Sequence, residues 1–144
     1  MNPYKHSITL RISGDFDVEE LKRSLGLESV FSKTKGDKRG TKADGSIVYH
    51  NQSHIRKTFY KDADGDVVES INEICRVLEG KGTDYLEISK NHHAELFIGL
   101  FGAENFGFEF DLKTLKRVEQ LGLALLFDVY PYDEEARTAA ATKE

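Results

Sequence analysis

A single cysteine, Cys75, excludes an internal disulfide framework and fits a reducing compartment. No run approaches the ~18 apolar residues that cross a bilayer. The opening residues, Met-Asn-Pro-Tyr-Lys-His, lack the apolar stretch of a secretory signal. These absences lead us to expect a cytoplasmic protein. Catalytic signatures are missing as well: there is no Gly-x-Ser-x-Gly, no phosphate-binding P-loop, no His-Glu-x-x-His and no Cys-x-x-Cys. The glycines of Gly102-Ala-Glu-Asn-Phe-Gly107 are spaced like part of a dinucleotide fingerprint, but the middle glycine is absent. No cofactor is therefore expected. At 144 residues the chain is long enough for one domain with a core of its own, burying roughly 68–70% of its unfolded surface.

What is present is an echo. Ser7–Ser13 alternates apolar and polar residues, and Asp17, Glu20, Leu21, Leu25 and Gly26 follow as N-cap, capping-box partner, apolar stripe and helix stop. Ala94–Phe101 alternates again, followed by Asp111, Leu112, Leu115, Val118 and Gly122 in the same order. Between them lies the strongest helical pattern. Asp66 and Glu69 open it, and Val67, Val68, Ile71, Ile74, Cys75 and Leu78 mark one buried face. Shorter strands are expected at Ser46–His50, Ile55–Tyr60 and Tyr85–Ser89, the first two forming a hairpin. A hairpin or bulged crossing is expected in the phenylalanine-rich stretch 101–110. The last run, Leu123–Tyr130, is apolar on both faces and reads as a central strand. The expected fold is α+β: a mixed, mostly antiparallel sheet with about three helices on one face, built from two strand–helix units with pseudo-repeat character. Residues 1–132 form the single domain and 133–144 a flexible C-terminal tail.

Charge is segregated. Residues 33–61 carry eight lysines and arginines against Asp37 and Asp44, so with a net charge of −5 the rest of the chain carries −11. An acidic remainder repels a polyanion over most of the surface, which disfavours nucleic acid. Residues 32–46 read as a long polar loop punctuated by Gly36, Gly40 and Gly45. A loop of that length inside a small domain tends to be functional. Lys33, Lys35, Asp37, Lys38, Arg39 and Lys42 are accordingly the candidate partner-binding residues.

The pieces Ile8-Thr9-Leu10-Arg11-Ile12-Ser13-Gly14, Leu25-Gly26-Leu27, Lys35-Gly36-Asp37, and Gly122 followed by Phe127-Asp128-Val129-Tyr130 resemble, in order and spacing, the bacterial family called domain of unknown function 4279. Where members of that family often carry a tryptophan after the Gly-Asp loop, this chain has Ile47-Val48-Tyr49. The resemblance implies a small bacterial cytoplasmic protein and no particular activity.

Other constellations read as structural. Asp62, Asp64, Asp66 and Glu73 fall at calcium-loop positions, but Val67 stands where the sharp turn needs glycine. No metal is expected there. His50 and His54 are four apart in what reads as a turn, where they would not share one face. With His92 and His93 elsewhere, no zinc site is expected. Cys75 lies on an apolar stripe, without the base a nucleophilic thiol needs. Asp128 interrupts the last strand and should be exposed or fully hydrogen-bonded, because an unpaired buried carboxylate is prohibitive. The chain reads as a binding protein without enzymatic activity, of the immunity-type or inhibitor class that binds another protein. The alternative is an enzyme or small-ligand protein using residues 33–61, with Asp37, His50 and His54 contributed by loops.

Overall fold

The computed structural model of the chain describes residues 3–27 and 31–131; the tail expected over 133–144 lies outside the described residues. The order is β1 (Lys5–Gly14), α1 (Val18–Leu25), β2 (Phe31–Lys33), β3 (Lys38–Thr41), β4 (Ile47–Tyr49), β5 (Ser53–Ala63), α2 (Val67–Glu79), α3 (Thr83–Asn91), β6 (His93–Gly102), α4 (Leu112–Gln120) and β7 (Leu123–Pro131). Five strands form one sheet in the order β2-β5-β1-β6-β7, and β3 and β4 form a separate hairpin. Every pairing is antiparallel except β6 with β7.

The alternation in β1 decides the layering. Ile8, Leu10 and Ile12 are buried while Thr9, Arg11 and Ser13 are half-buried. Ala94, Leu96, Ile98 and Leu100 of β6 lie beside them in register and join the same core. Each of the four helices adds buried side chains to this cluster, with Ile71 and Ile74 of α2 at its centre and Leu21, Tyr85 and Val118 from the others. Burying one such aliphatic side chain contributes about 1.5–3 kcal/mol. Among the described residues the opposite face of the sheet carries no helix.

Helix entry follows the N-cap rule. Asp17 accepts from the Glu20 N–H, Asp66 from the Val68 N–H, and Asp111 from the Thr114 N–H. Gly26 ends α1 in the left-handed conformation, which only glycine enters without a Cβ penalty.

The strand–helix echo is real in three dimensions. In the second unit, β6-α4-β7 is an adjacent parallel βαβ crossover. In the first, β1-α1-β2 also ends parallel to where it began, because both strands are antiparallel to β5, which is inserted between them.

Several expectations are corrected. The described residues hold four helices, not the three expected. Tyr85–Ser89 belongs to α3: Tyr85 and Ile88, three apart, both pack on the core, and a strand would send them to opposite faces. β4 pairs with β3 and not with β5, so the hairpin lies within 38–49 rather than 46–60. The supposed loop 32–46 thus holds β3 and the end of β2. Residues 105–110 form neither strand nor hairpin; Phe106, Phe108 and Phe110 run irregularly and pack against the core. β7 is an edge strand and not a central one. Its apolarity on both faces has two sources: Leu125 and Phe127 pack on the core, while Tyr130 on the open side stacks on Phe101 with ring centroids 5.1 Å apart.

Candidate functional site

The open face of the sheet holds the candidate site. Register lays side chains across it in rows. One row runs Lys33, His54, Ser13, His93; the next runs Phe31, Arg56, Arg11, Glu95. The β3–β4 hairpin rises beside these rows and contributes Arg39 and His50. Together they line a pocket of about 600 Å³.

The hairpin is pinned at its base. Asp37 accepts from the Thr34 N–H at 3.0 Å, the Gly36 N–H donates to the His50 carbonyl and the His50 N–H to the Asp37 carbonyl, both at 2.8 Å. The Lys35 N–H donates to the hydroxyl of buried Ser53 at 3.0 Å. Gly36 has φ +93°, the positive value its turn demands.

Charge in the pocket is unbalanced. Arg11 and Arg56 stand directly opposite on neighbouring strands, an arrangement that costs stability because like charges face each other. Arg11 is compensated: its Nε donates to Glu95 at 2.7 Å, and its guanidinium lies 4.4 Å from the centre of the Phe97 ring. Arg56 has no carboxylate. It lies 4.1 Å from the centre of the half-exposed Phe31 ring, with the Lys33 ammonium 5.4 Å from the same ring. Among the described residues Lys33, Arg39 and Arg56 make no ion pair. Glu95 is the one carboxylate of the described lining, and Arg11 already holds it.

Histidines complete the wall. The short link between β4 and β5 brings the His50 and His54 rings edge to face, centroids 5.7 Å apart, so the turn does unite two residues expected to stay apart. Burial holds the His54 ring below its ordinary pKa, with His50, Arg39 and Arg56 adding repulsion. His93 Nε2 lies 3.3 Å from Glu95. His92 belongs elsewhere: its ring packs on Phe16 and fills the space a Cβ on Gly14 would enter, 2.5 Å from Nδ1.

Of the candidate partner-binding residues, the pocket unites Lys33 and Arg39. Lys35 lies outside the lining, paired with Asp15 at 3.1 Å. Asp37 is a turn cap, and exposed Lys38 and Lys42 are not among the lining residues. Arg11 lies outside the basic segment, and Arg56, though within residues 33–61, is not among the six candidates; the alternation of β1 and β5 places the two arginines on the polar face, but only the register reveals that they meet.

The remaining constellations are accounted for structurally. Asp66 caps α2, and Val67 and Glu73 are helical. Among the described residues no three His, Cys, Asp or Glu side chains are placed to hold a metal ion. Cys75 is fully buried and its thiol is pushed up to about 11 by burial, which leaves almost no thiolate at neutral pH. Asp128 is half-buried and accepts the Tyr130 hydroxyl, as an interrupting carboxylate must. No helix among the described residues is long and apolar enough to cross a membrane.

The comparison with known proteins agrees with the architecture's motifs. The model of the family described as Domain of unknown function (DUF4279) matches residues 2–132, and the chain belongs to that family. No curated protein and no solved structure matches the chain.

Proposed function

For a member of a family whose description assigns no activity, we propose a binding role without turnover, in which the open-face pocket captures an anionic group presented by another protein. The observation that carries it is the convergence of Lys33, Arg39 and Arg56, all without a carboxylate partner, beside a like-charged Arg11–Arg56 pair. A fold tolerates such a local cost where a ligand relieves it. The absence of turnover is supported by Ser13, the pocket's one hydroxyl: it lies between His54 and His93 in register, and no hydrogen bond joins it to either among the described residues. Activation of a serine by a neighbouring imidazole needs that bond.

The partner is read as a protein in the bacterial cytoplasm, an immunity-type or inhibitor pairing being the class that fits a small domain with segregated charge, since opposite fields speed encounter. Nucleic acid is disfavoured by the acidic remainder of the chain. The test is calorimetric titration with a hexaglutamate peptide. Binding should weaken steeply with salt and vanish in Arg39→Glu/Arg56→Glu, whose melting temperature stays that of the parent. Undiminished binding in that variant removes the pocket from the account. A purified preparation that converts a substrate, and loses this on replacing His50 or Asp37, supports the alternative reading as an enzyme.

A further inference from the structure

We propose that the anionic group is a phosphate monoester, its phosphate among Lys33, Arg39 and Arg56 and its organic part on the ring of Phe31. This deepens the binding reading above and rests on it. Three features separate a phosphate ester from a carboxylate. The first is direction. The three uncompensated cations come from three elements, β2, β3 and β5, and line one pocket. A carboxylate is planar and accepts from forks in its own plane, whereas a phosphate monoester presents three peripheral oxygens to donors on different sides. The second is charge. A phosphate monoester near pH 7 carries about −1.5 to −2; one carboxylate carries a single charge and leaves more of the repulsion standing.

The third is size and surface. At about 600 Å³ the pocket is far larger than a lone ion requires, a water's share of liquid being about 30 Å³. It falls in the range that takes small organic ligands. Phe31 is 48% exposed, so its ring still presents apolar surface although Arg56 and Lys33 lie over it. His54, whose pKa burial lowers, can offer an N–H to an oxygen, and the same burial opposes adding a further charge to an already cationic site. The shared chemistry has two sources, a phosphorylated side chain on a partner protein and a free small phosphoester.

Titrate the full chain calorimetrically at pH 7 and low salt with phenyl phosphate, inorganic phosphate, sulfate, hexaglutamate and an alanine hexapeptide carrying one phosphotyrosine. Phenyl phosphate should bind one to one, at least tenfold tighter than inorganic phosphate or sulfate. Arg56→Gln and Arg39→Gln should each weaken it tenfold or more with unchanged melting, and Phe31→Ala should erase its advantage over inorganic phosphate. The phosphopeptide binding tighter than phenyl phosphate supports a protein-borne ester; equal affinity supports a free one. Hexaglutamate binding that is lost in Arg56→Gln, with no phosphate compound bound, overturns the phosphate inference and leaves the anion-binding reading intact. If no probe binds, both fall. Phenyl phosphate binding that ignores both arginine substitutions, or that never exceeds inorganic phosphate, also overturns the proposal.

Discussion

The two faces of the same sheet follow opposite rules. On the covered face β1 and β6 present Ile8, Leu10, Leu96 and Ile98, all essentially inaccessible, and each neighbour supports the next. On the open face β1 and β6 present Arg11, Glu95 and Phe97, beside Arg56 of β5 and Phe31 of β2, and neighbours conflict. The covered face is what apolar burial alone would choose. The open face is not, since threonine or serine at position 56 would satisfy an exposed antiparallel sheet without placing one arginine against another. The difference locates selection for something besides stability.

The contrast is sharpest under truncation. Leu96→Ala on the covered face should destabilise the protein by about 3 kcal/mol, through lost transfer energy and a cavity, read as a drop in the urea midpoint. Arg56→Ala on the open face should leave that midpoint unchanged within error, or raise it slightly by relieving the repulsion. A large loss there would mean that Arg56 is structural.

An intermediate case bridges the two. Arg11 and Glu95 form an ion pair whose carboxylate side chain is only 14% exposed. Arg11→Ala should cost about 1–2 kcal/mol, mostly from stranding Glu95, and Glu95→Gln in that background should recover part of it. Equal loss in single and double variants would separate the two residues energetically.

The helix entries are next. Asp66→Ala should cost about 1 kcal/mol, the usual effect of losing an N-cap, measured by thermal melts. Coincident melts would show that the Asp66–Val68 bond contributes nothing.

pH probes the covered face from within. His6 is fully buried, with Nε2 2.8 Å from the Ser70 hydroxyl. Burial lowers its pKa, only partly opposed by Asp66 and Asp64. Its folded value thus lies below its unfolded one, so the unfolded chain binds the proton first. Stability from this group is full above the unfolded value near 6.5 and declines as pH falls toward the folded value. Urea midpoints at pH 7.5, 6.0 and 5.0 should decrease, and His6→Gln should flatten the decline; His54, lowered in the same direction, leaves a residue of it. An unchanged slope in His6→Gln would assign the decline elsewhere. The smallest effect is expected from Lys35→Glu/Lys38→Glu/Lys42→Glu, below about 0.5 kcal/mol, because all three side chains are exposed.

Much of the covered face was legible in the sequence, because period and caps are local signals. Asp17, Asp66 and Asp111 announce three helices, and β1 and β6 alternate cleanly. α3 escaped because its N-cap position is Gly82, which makes no side-chain bond, and because only Tyr85 is buried. β7 misled because its open-side Leu126 and Tyr130 are apolar or aromatic yet exposed at the edge of the sheet, so hydrophobicity on both sides did not mean burial on both. The site was half legible. The basic character of residues 33–61 pointed to Lys33 and Arg39, but Arg11 lies outside that segment and the meeting of Arg11 with Arg56 is a matter of register between residues 45 positions apart. Composition cannot encode that.

The place of β1 at the middle of the sheet has a consequence for synthesis. Its two neighbours are residues 53–63 and 93–102, so during synthesis β1 must wait for two strands that lie far along the chain. At roughly 5–20 residues per second, its apolar edge waits several seconds for β6. Non-local pairing of this kind also slows refolding of the finished chain toward the millisecond-to-second range. During that interval Ile8, Leu10 and Ile12 are open to other chains, and the interleaved Thr9, Arg11 and Ser13 are the polar breaks that keep the nascent strand from pairing with its copies.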